Sequence, residues 1–167
     1  KFVIGFRSDS LTKVFLFITE FASVKGIVFL CAVSLIGIFW KYYKSLFLVL
    51  NVIVSTIFNV VLKNIMMVPR PNILRLAEET GYSFPSGHSM ASVAFYGFII
   101  YLILSSNMNK YLKVVISSLL VILIIVIGFS RVYLGVHNAS DVIAGYAIST
   151  GLLLADIKKM KKRGLIK

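Results

Sequence analysis

His88 and His137 are the only histidines among 167 residues, and each stands where it could do chemistry. Asp141 follows His137 by four positions, which makes the two side chains neighbours on one helical face. A carboxylate beside an imidazole fixes its tautomer and stabilises its charged form, as in nucleophile–base–orienter triads. Pro85-Ser86-Gly87 comes just before His88 and a long apolar stretch, so Ser86 is a natural helix N-cap. The free N–H groups and positive dipole end of such a helix bind anions. Lys63, Arg70 and Arg131 are three permanent cations, a set that fits a phosphate with two negative charges. Taken singly, each has a plainer reading. A lone histidine near a membrane interface is more often a polar anchor, a helix-end arginine a flank whose stem lies on apolar surface, and Pro-Ser-Gly a turn. Whether they act together depends on the elements that carry them.

Those elements belong in a bilayer. Apolar residues make up 59% of the chain and charged ones 14%, against about 25% charged in a soluble domain. A soluble protein this small could not hide so much apolar surface, which excludes an ordinary globule and a disordered chain. The length fits one domain over residues 1–167. The lone Cys31 gives neither a disulfide framework nor a metal cluster. The net charge of +12 is placed for lipid rather than nucleic acid, since six basic residues fall in the last ten positions, next to an apolar segment.

Four spans are expected from charge-poor stretches at 45–62 (continuing to Met67), 89–109, 114–130 (extended upstream by Tyr111 and Leu112) and 138–157. A fifth, 26–40, is short and is expected to extend upstream through 14–25. There Thr12, Lys13, Thr19, Glu20 and Ser23 form a polar stripe, read as an interfacial amphipathic lead-in. The expectation is an all-α polytopic transmembrane bundle of about five spans. Alternating spans put loop 63–88 and hairpin 131–141 on one side, so both histidines, Lys63, Arg70, Arg131 and Asp141 converge there by counting alone. The opposite loops and the tail hold ten basic residues against eight. With the chemical candidates set aside, the positive-inside rule puts that tail in the cytoplasm and the chemistry outside. Five spans then leave Lys1 outside, and with no initiator Met a preceding helix or signal segment is expected.

These residues resemble the type-2 phosphatidic acid phosphatases, which share an active site with vanadium haloperoxidases and glucose-6-phosphatase. The pattern stands complete as Lys63…Arg70-Pro71, Pro85-Ser86-Gly87-His88 and Ser130-Arg131…His137…Asp141, and the resemblance covers about residues 11–157. Asn138 departs from the aromatic or aliphatic residue that many members carry. The resemblance implies that His137 is the nucleophile, forming a phosphohistidine, that Asp141 orients it, and that His88 protonates the leaving oxygen and then activates water. It implies that Lys63, Arg70, Arg131, Ser86 and the Gly87 N–H hold the phosphate, with no metal and no cofactor because fixed cations replace magnesium.

The expected partners are a lipid phosphate substrate and the bilayer, with no nucleic acid. A haloperoxidase shares these residues but is soluble. A lipid transporter or scaffold with a vestigial site is a distant alternative, which phosphate release from a lipid phosphate would exclude. Short loops and the lack of extra domains look like a small bacterial plasma-membrane enzyme. Phosphatidylglycerol phosphate is the first substrate expected and undecaprenyl diphosphate the second. Independently of the family, Asn51, Ser55, Asn59 and Lys63 lie at successive i+4 steps. This stripe is expected to face the bundle interior, with Asn59 placed to steady Lys63 or a water near it.

Overall fold

A computed structural model describes residues 5, 7–36, 42–72 and 74–165, and among them every regular element is helical. In chain order these are α1 (Asp9–Glu20), α2 (Val24–Leu35), α3 (Tyr42–Met66), α4 (Gly87–Leu104), α5 (Lys110–Tyr133) and α6 (Ala139–Lys162). A π-helical turn interrupts α4 at Val93–Gly97. The helices α3 to α6 are each long and apolar enough to cross a membrane. At 1.5 Å per residue, 24 residues reach about 36 Å, beyond the roughly 30 Å of hydrocarbon. The outer face of α5 exposes Leu119, Ile122, Ile125 and Phe129, a stripe suited to lipid.

Helix ends follow local chemistry. Asn109 caps α5 by accepting from the Tyr111 N–H at 2.8 Å, so this helix begins at Lys110, next to the expected upstream extension at Tyr111. The last helix, α6, runs past the expected residue 157 because Lys159, Lys161 and Lys162 complement the negative end of its dipole.

The fifth expected span is a bent pair. The helices α1 and α2 meet at 45°, and Ser23 makes the corner by donating to Glu20 O at 3.0 Å while accepting from the Gly26 N–H at 3.0 Å. The 12 residues of α2 cover about 18 Å, too little to cross alone, and residues 37–40 of that expected span lie outside the described ones. The polar stripe of α1 is also divided. Lys13 and Glu20 are exposed, whereas Thr19 is buried and meets Arg131. Phe15 packs on Phe129 and Tyr133, and Arg7 donates to the Tyr133 carbonyl, so α1 is fastened to the end of α5.

The stripe on α3 faces inward, as expected. Asn51 donates to Ala94 O at 2.7 Å inside the π turn, and Ser55 meets Ser149 on α6 at 3.2 Å. Asn59, however, does not steady Lys63. It donates to Pro85 O at 3.0 Å and lies 3.3 Å from Met90 Sδ. One turn below Lys63, its amide faces the point where the loop enters α4, and Lys63 reaches upward to other carbonyls. Asn59 therefore holds the Pro85-Ser86-Gly87-His88 corner.

Candidate active site

Three segments meet at one end of the bundle: the top of α3, the 67–86 loop with the start of α4, and the turn from α5 into α6. Gly135 shapes that last turn, with a φ of +74° that L side chains rarely adopt. The Val136 and His137 N–H groups then both point to Arg131 O, which delivers His137 inward. On the facing helix Ser86 caps α4, as expected, accepting from Ser89 N–H and Oγ, and its own N–H bonds Asp141 O at 3.0 Å. That close approach requires Gly145, where a Cβ would stand 2.9 Å from Ser86 O. Asn138 is the N-cap residue of α6, and its N–H donates to Asp141 Oδ2 at 2.8 Å.

His137 is 3% exposed, and both ring nitrogens are engaged. Nδ1 lies 3.3 Å from Ser83 Oγ and 3.5 Å from Asp141 Oδ2, and Ser83 Oγ donates to that same oxygen. Arg70 Nη1 lies 3.2 Å from Nε2. A guanidinium has no acceptor, so Nε2 must offer its lone pair and the proton belongs on Nδ1. Burial pushes the His137 imidazole below its ordinary pKa. The Asp141 carboxylate opposes that, and the charges of Arg70, Arg131 and Lys63 reinforce it. The ring is thus neutral, with the Nε2 lone pair offered to Arg70 and available to a phosphorus atom that takes its place.

The cations are held by backbone and by one another's partners. Lys63 Nζ donates to Tyr82 O at 2.5 Å and Ser83 O at 3.2 Å. Arg70 bonds the carbonyls of Thr80, Gly81 and Val136. Arg131 is buried, bonds Thr19 Oγ1 at 2.9 Å through Nη1 and bonds Glu79 through Nη2. Its Nε is buried without a protein partner.

All eight residues singled out from the sequence lie at this end. Lys63, Arg70, Gly87, His88 and His137 line the top of a cavity of about 680 Å³, whose lower walls are apolar residues of α2 and α3 such as Ile27, Cys31 and Val52. Ser86, Arg131 and Asp141 sit behind them, at most 2% exposed. Three contributors were not read from the sequence. Ser83 bridges the His137–Asp141 pair, Thr19 braces Arg131, and Glu79 joins Arg131 and lies 3.6 Å from Arg70. The chain separations, 54 and 58 residues for Ser83, 112 for Thr19 and 52 for Glu79, leave no local spacing to find them by.

Residues 44–164 match the PAP2 superfamily. Phosphatidylglycerophosphatase B of Bacillus subtilis is 34% identical over 154 residues, which covers 89% of this chain and 73% of that protein. Dolichyldiphosphatase of Saccharomyces cerevisiae is 34% identical over 103 residues, 58% of this chain and 43% of that one. The crystal structure of the first transmembrane PAP2 type phosphatidylglycerolphosphate phosphatase from Bacillus subtilis matches with a TM-score of 0.88 and 27% identity, over 96% of this chain and 81% of that one. The likeness runs through the bundle and through the segments that meet at the cations. The chain therefore belongs to the PAP2 superfamily, as a multi-pass membrane phosphatase of lipid phosphates.

Proposed function

We propose that the protein hydrolyses phosphatidylglycerol phosphate to phosphatidylglycerol and phosphate on the outer face of a bacterial plasma membrane, with its C-terminal tail in the cytoplasm. One observation carries this reading. Nε2 of His137 meets Arg70 Nη1 at 3.2 Å, and His137, His88, Lys63 and Arg70 together line the head of an apolar cavity between α2 and α3. Phosphate suits the head of that cavity and acyl chains suit its walls.

In the first step Nε2 forms a bond to phosphorus, and the phosphorus–oxygen bond to the lipid breaks. The electron pair leaves with the lipid oxygen, which takes a proton from His88. Water then attacks the phosphohistidine and gives its proton to His88. The phosphorus–nitrogen bond breaks toward His137, and orthophosphate leaves. Lys63, Arg70, Arg131, Ser86 and the Gly87 N–H stabilise the charge that spreads over the phosphoryl oxygens. Asp141, directly and through Ser83, keeps the proton of His137 on Nδ1 and stabilises the ring once phosphorylated.

The likeness to a dolichyldiphosphatase favours a second substrate, the polyprenyl carrier undecaprenyl diphosphate. The deciding experiment is phosphate release in detergent from both lipids side by side, with excess chelator present. Faster release from phosphatidylglycerol phosphate is expected, undiminished by the chelator. Preference for the diphosphate makes the second reading the right one. Full loss in chelator, restored by magnesium, overturns the fixed-cation mechanism. No release from either lipid overturns the proposal.

A further inference from the structure

The three cations of the site are held in different ways. Lys63 and Arg70 rest on backbone carbonyls, those of Tyr82 and Ser83 for the lysine and of Thr80, Gly81 and Val136 for the arginine. Arg131 rests on side chains: Nη1 donates to Thr19 Oγ1 at 2.9 Å and Nη2 donates to Glu79, while Nε has no protein partner. A planar guanidinium held through two nitrogens keeps its orientation, and one held through a single nitrogen can pivot about that bond. The two holders are not equivalent. Glu79 comes from an irregular loop with its side chain 28% exposed, whereas Thr19 is 4% exposed and stands in the last turn of α1. That helix is fixed at both ends. At its start the Ser8 N–H donates to Tyr133 Oη at 3.1 Å, and Arg7 donates to Tyr133 O. Just past its end Tyr96, in the π turn of α4, donates its hydroxyl to Phe21 O at 2.7 Å. The helix thus delivers one hydroxyl to a set place beside an arginine 112 residues away in the chain.

We infer that Thr19 is a positioning residue, whose hydroxyl sets the orientation in which Arg131 holds the phosphoryl oxygens. This rests on the reading of the site as a lipid phosphatase in which Arg131 binds phosphate. A buried hydroxyl needs a partner, and many polar groups would satisfy it. The partner here is the one cation of the three that bonds no backbone carbonyl among the described residues. The charge of Arg131 also bears on His137, where it helps to lower the imidazole pKa. Without the hydroxyl, Nη1 loses its acceptor and the guanidinium can turn about its bond to Glu79. A turned fork meets phosphoryl oxygens at poorer angles, both in bound phosphate and in the transition state, where a misplaced charged donor is costly. The effect belongs to the phosphoryl group and is blind to what that group is attached to.

The test compares wild type, Thr19→Val, Thr19→Ala and Thr19→Ser in detergent. Phosphate release is followed from a lipid phosphate and from an aryl phosphate, and orthophosphate is titrated as a competitive inhibitor. Its Ki does not depend on how much of the enzyme is active, so a merely structural role would not move it. Thr19→Val and Thr19→Ala should lower kcat/KM about 10–100-fold, by the same factor on both substrates, and raise the Ki about tenfold. Thr19→Ser, which keeps the hydroxyl, should stay close to wild type in all three. An unchanged Ki in both hydroxyl-free variants overturns the inference, because lost turnover then reflects lost enzyme. A loss confined to the lipid substrate makes Thr19 a wall of the lipid groove and overturns it as well. So does a Thr19→Ser that loses as much as Thr19→Val, or a Thr19→Ala as active as wild type. If neither hydroxyl-free variant can be recovered folded, Thr19 is a packing element and the inference fails. A wild type that releases no phosphate from either substrate overturns the phosphatase reading itself, whereas an active wild type with an unmoved Ki in the variants overturns only the role of Thr19.

Discussion

The Ser83 hydroxyl donates to Oδ2 of Asp141, oxygen to oxygen at 2.5 Å, and so ties the loop before α4 to the first turn of α6. The same hydroxyl lies 3.3 Å from His137 Nδ1, closer than the carboxylate at 3.5 Å. Ser83→Ala should therefore lower kcat about 5–10-fold, the worth of roughly one hydrogen bond, and leave KM nearly unchanged. Steady-state kinetics on one lipid phosphate checks this. An unchanged kcat would mean that Asp141 orients the ring unaided.

Acid tolerance follows from the burial of His137. Protonation removes the nucleophile, and burial together with three cations lowers the pH at which that happens. The acid limb of kcat/KM should then lie below about 6.5, the ordinary imidazole value. A midpoint at or above that value counts against His137 as the group that must be neutral.

The two histidines should separate by leaving group. His137→Ala should abolish turnover on every substrate. His88→Ala should cost about 10²–10⁴-fold on a lipid phosphate, whose alkoxide needs a proton, and far less on an aryl phosphate. Equal losses on both substrates would sink the assignment of His88 as the acid.

Asn59→Leu removes the bonds to Pro85 O and Met90 Sδ. Its cost should be about 0.6–2 kcal/mol of stability, as for other hydrogen bonds within a membrane protein. Because Asn59 holds the corner bearing Ser86 and His88, activity should fall with it. Thermal unfolding in detergent and turnover measured together check this. A variant as stable and active as wild type would leave Asn59 no structural role.

Periodicity made much of this legible. Asn51, Ser55, Asn59 and Lys63 recur every four residues, so their common face could be read before any fold was known. Counting spans likewise put both histidines and the three cations at one end. What lay beyond reach was contact made across the chain. Thr19 belongs to a helix whose polar stripe reads as a membrane-surface face, yet it turns inward because Arg131 needs an acceptor there. Ser83 and Glu79 lie in an irregular loop, where no period says which way a side chain points. The target of Asn59 escapes the sequence for a related reason. The helix gave its direction, but the Pro85 carbonyl it meets is supplied by the returning loop.

The π turn at Val93–Gly97 carries one more residue than the α-helix it interrupts, so it rotates everything after it by about 100° relative to everything before. Above it stand His88 and Met90; below it Phe98 and Leu102 fill the core. Deleting one residue within the turn would swing Phe98 and Leu102 out of register and leave His88 in its seat. One helix thus presents two faces that evolution can tune on separate schedules, chemistry before the turn and packing after it.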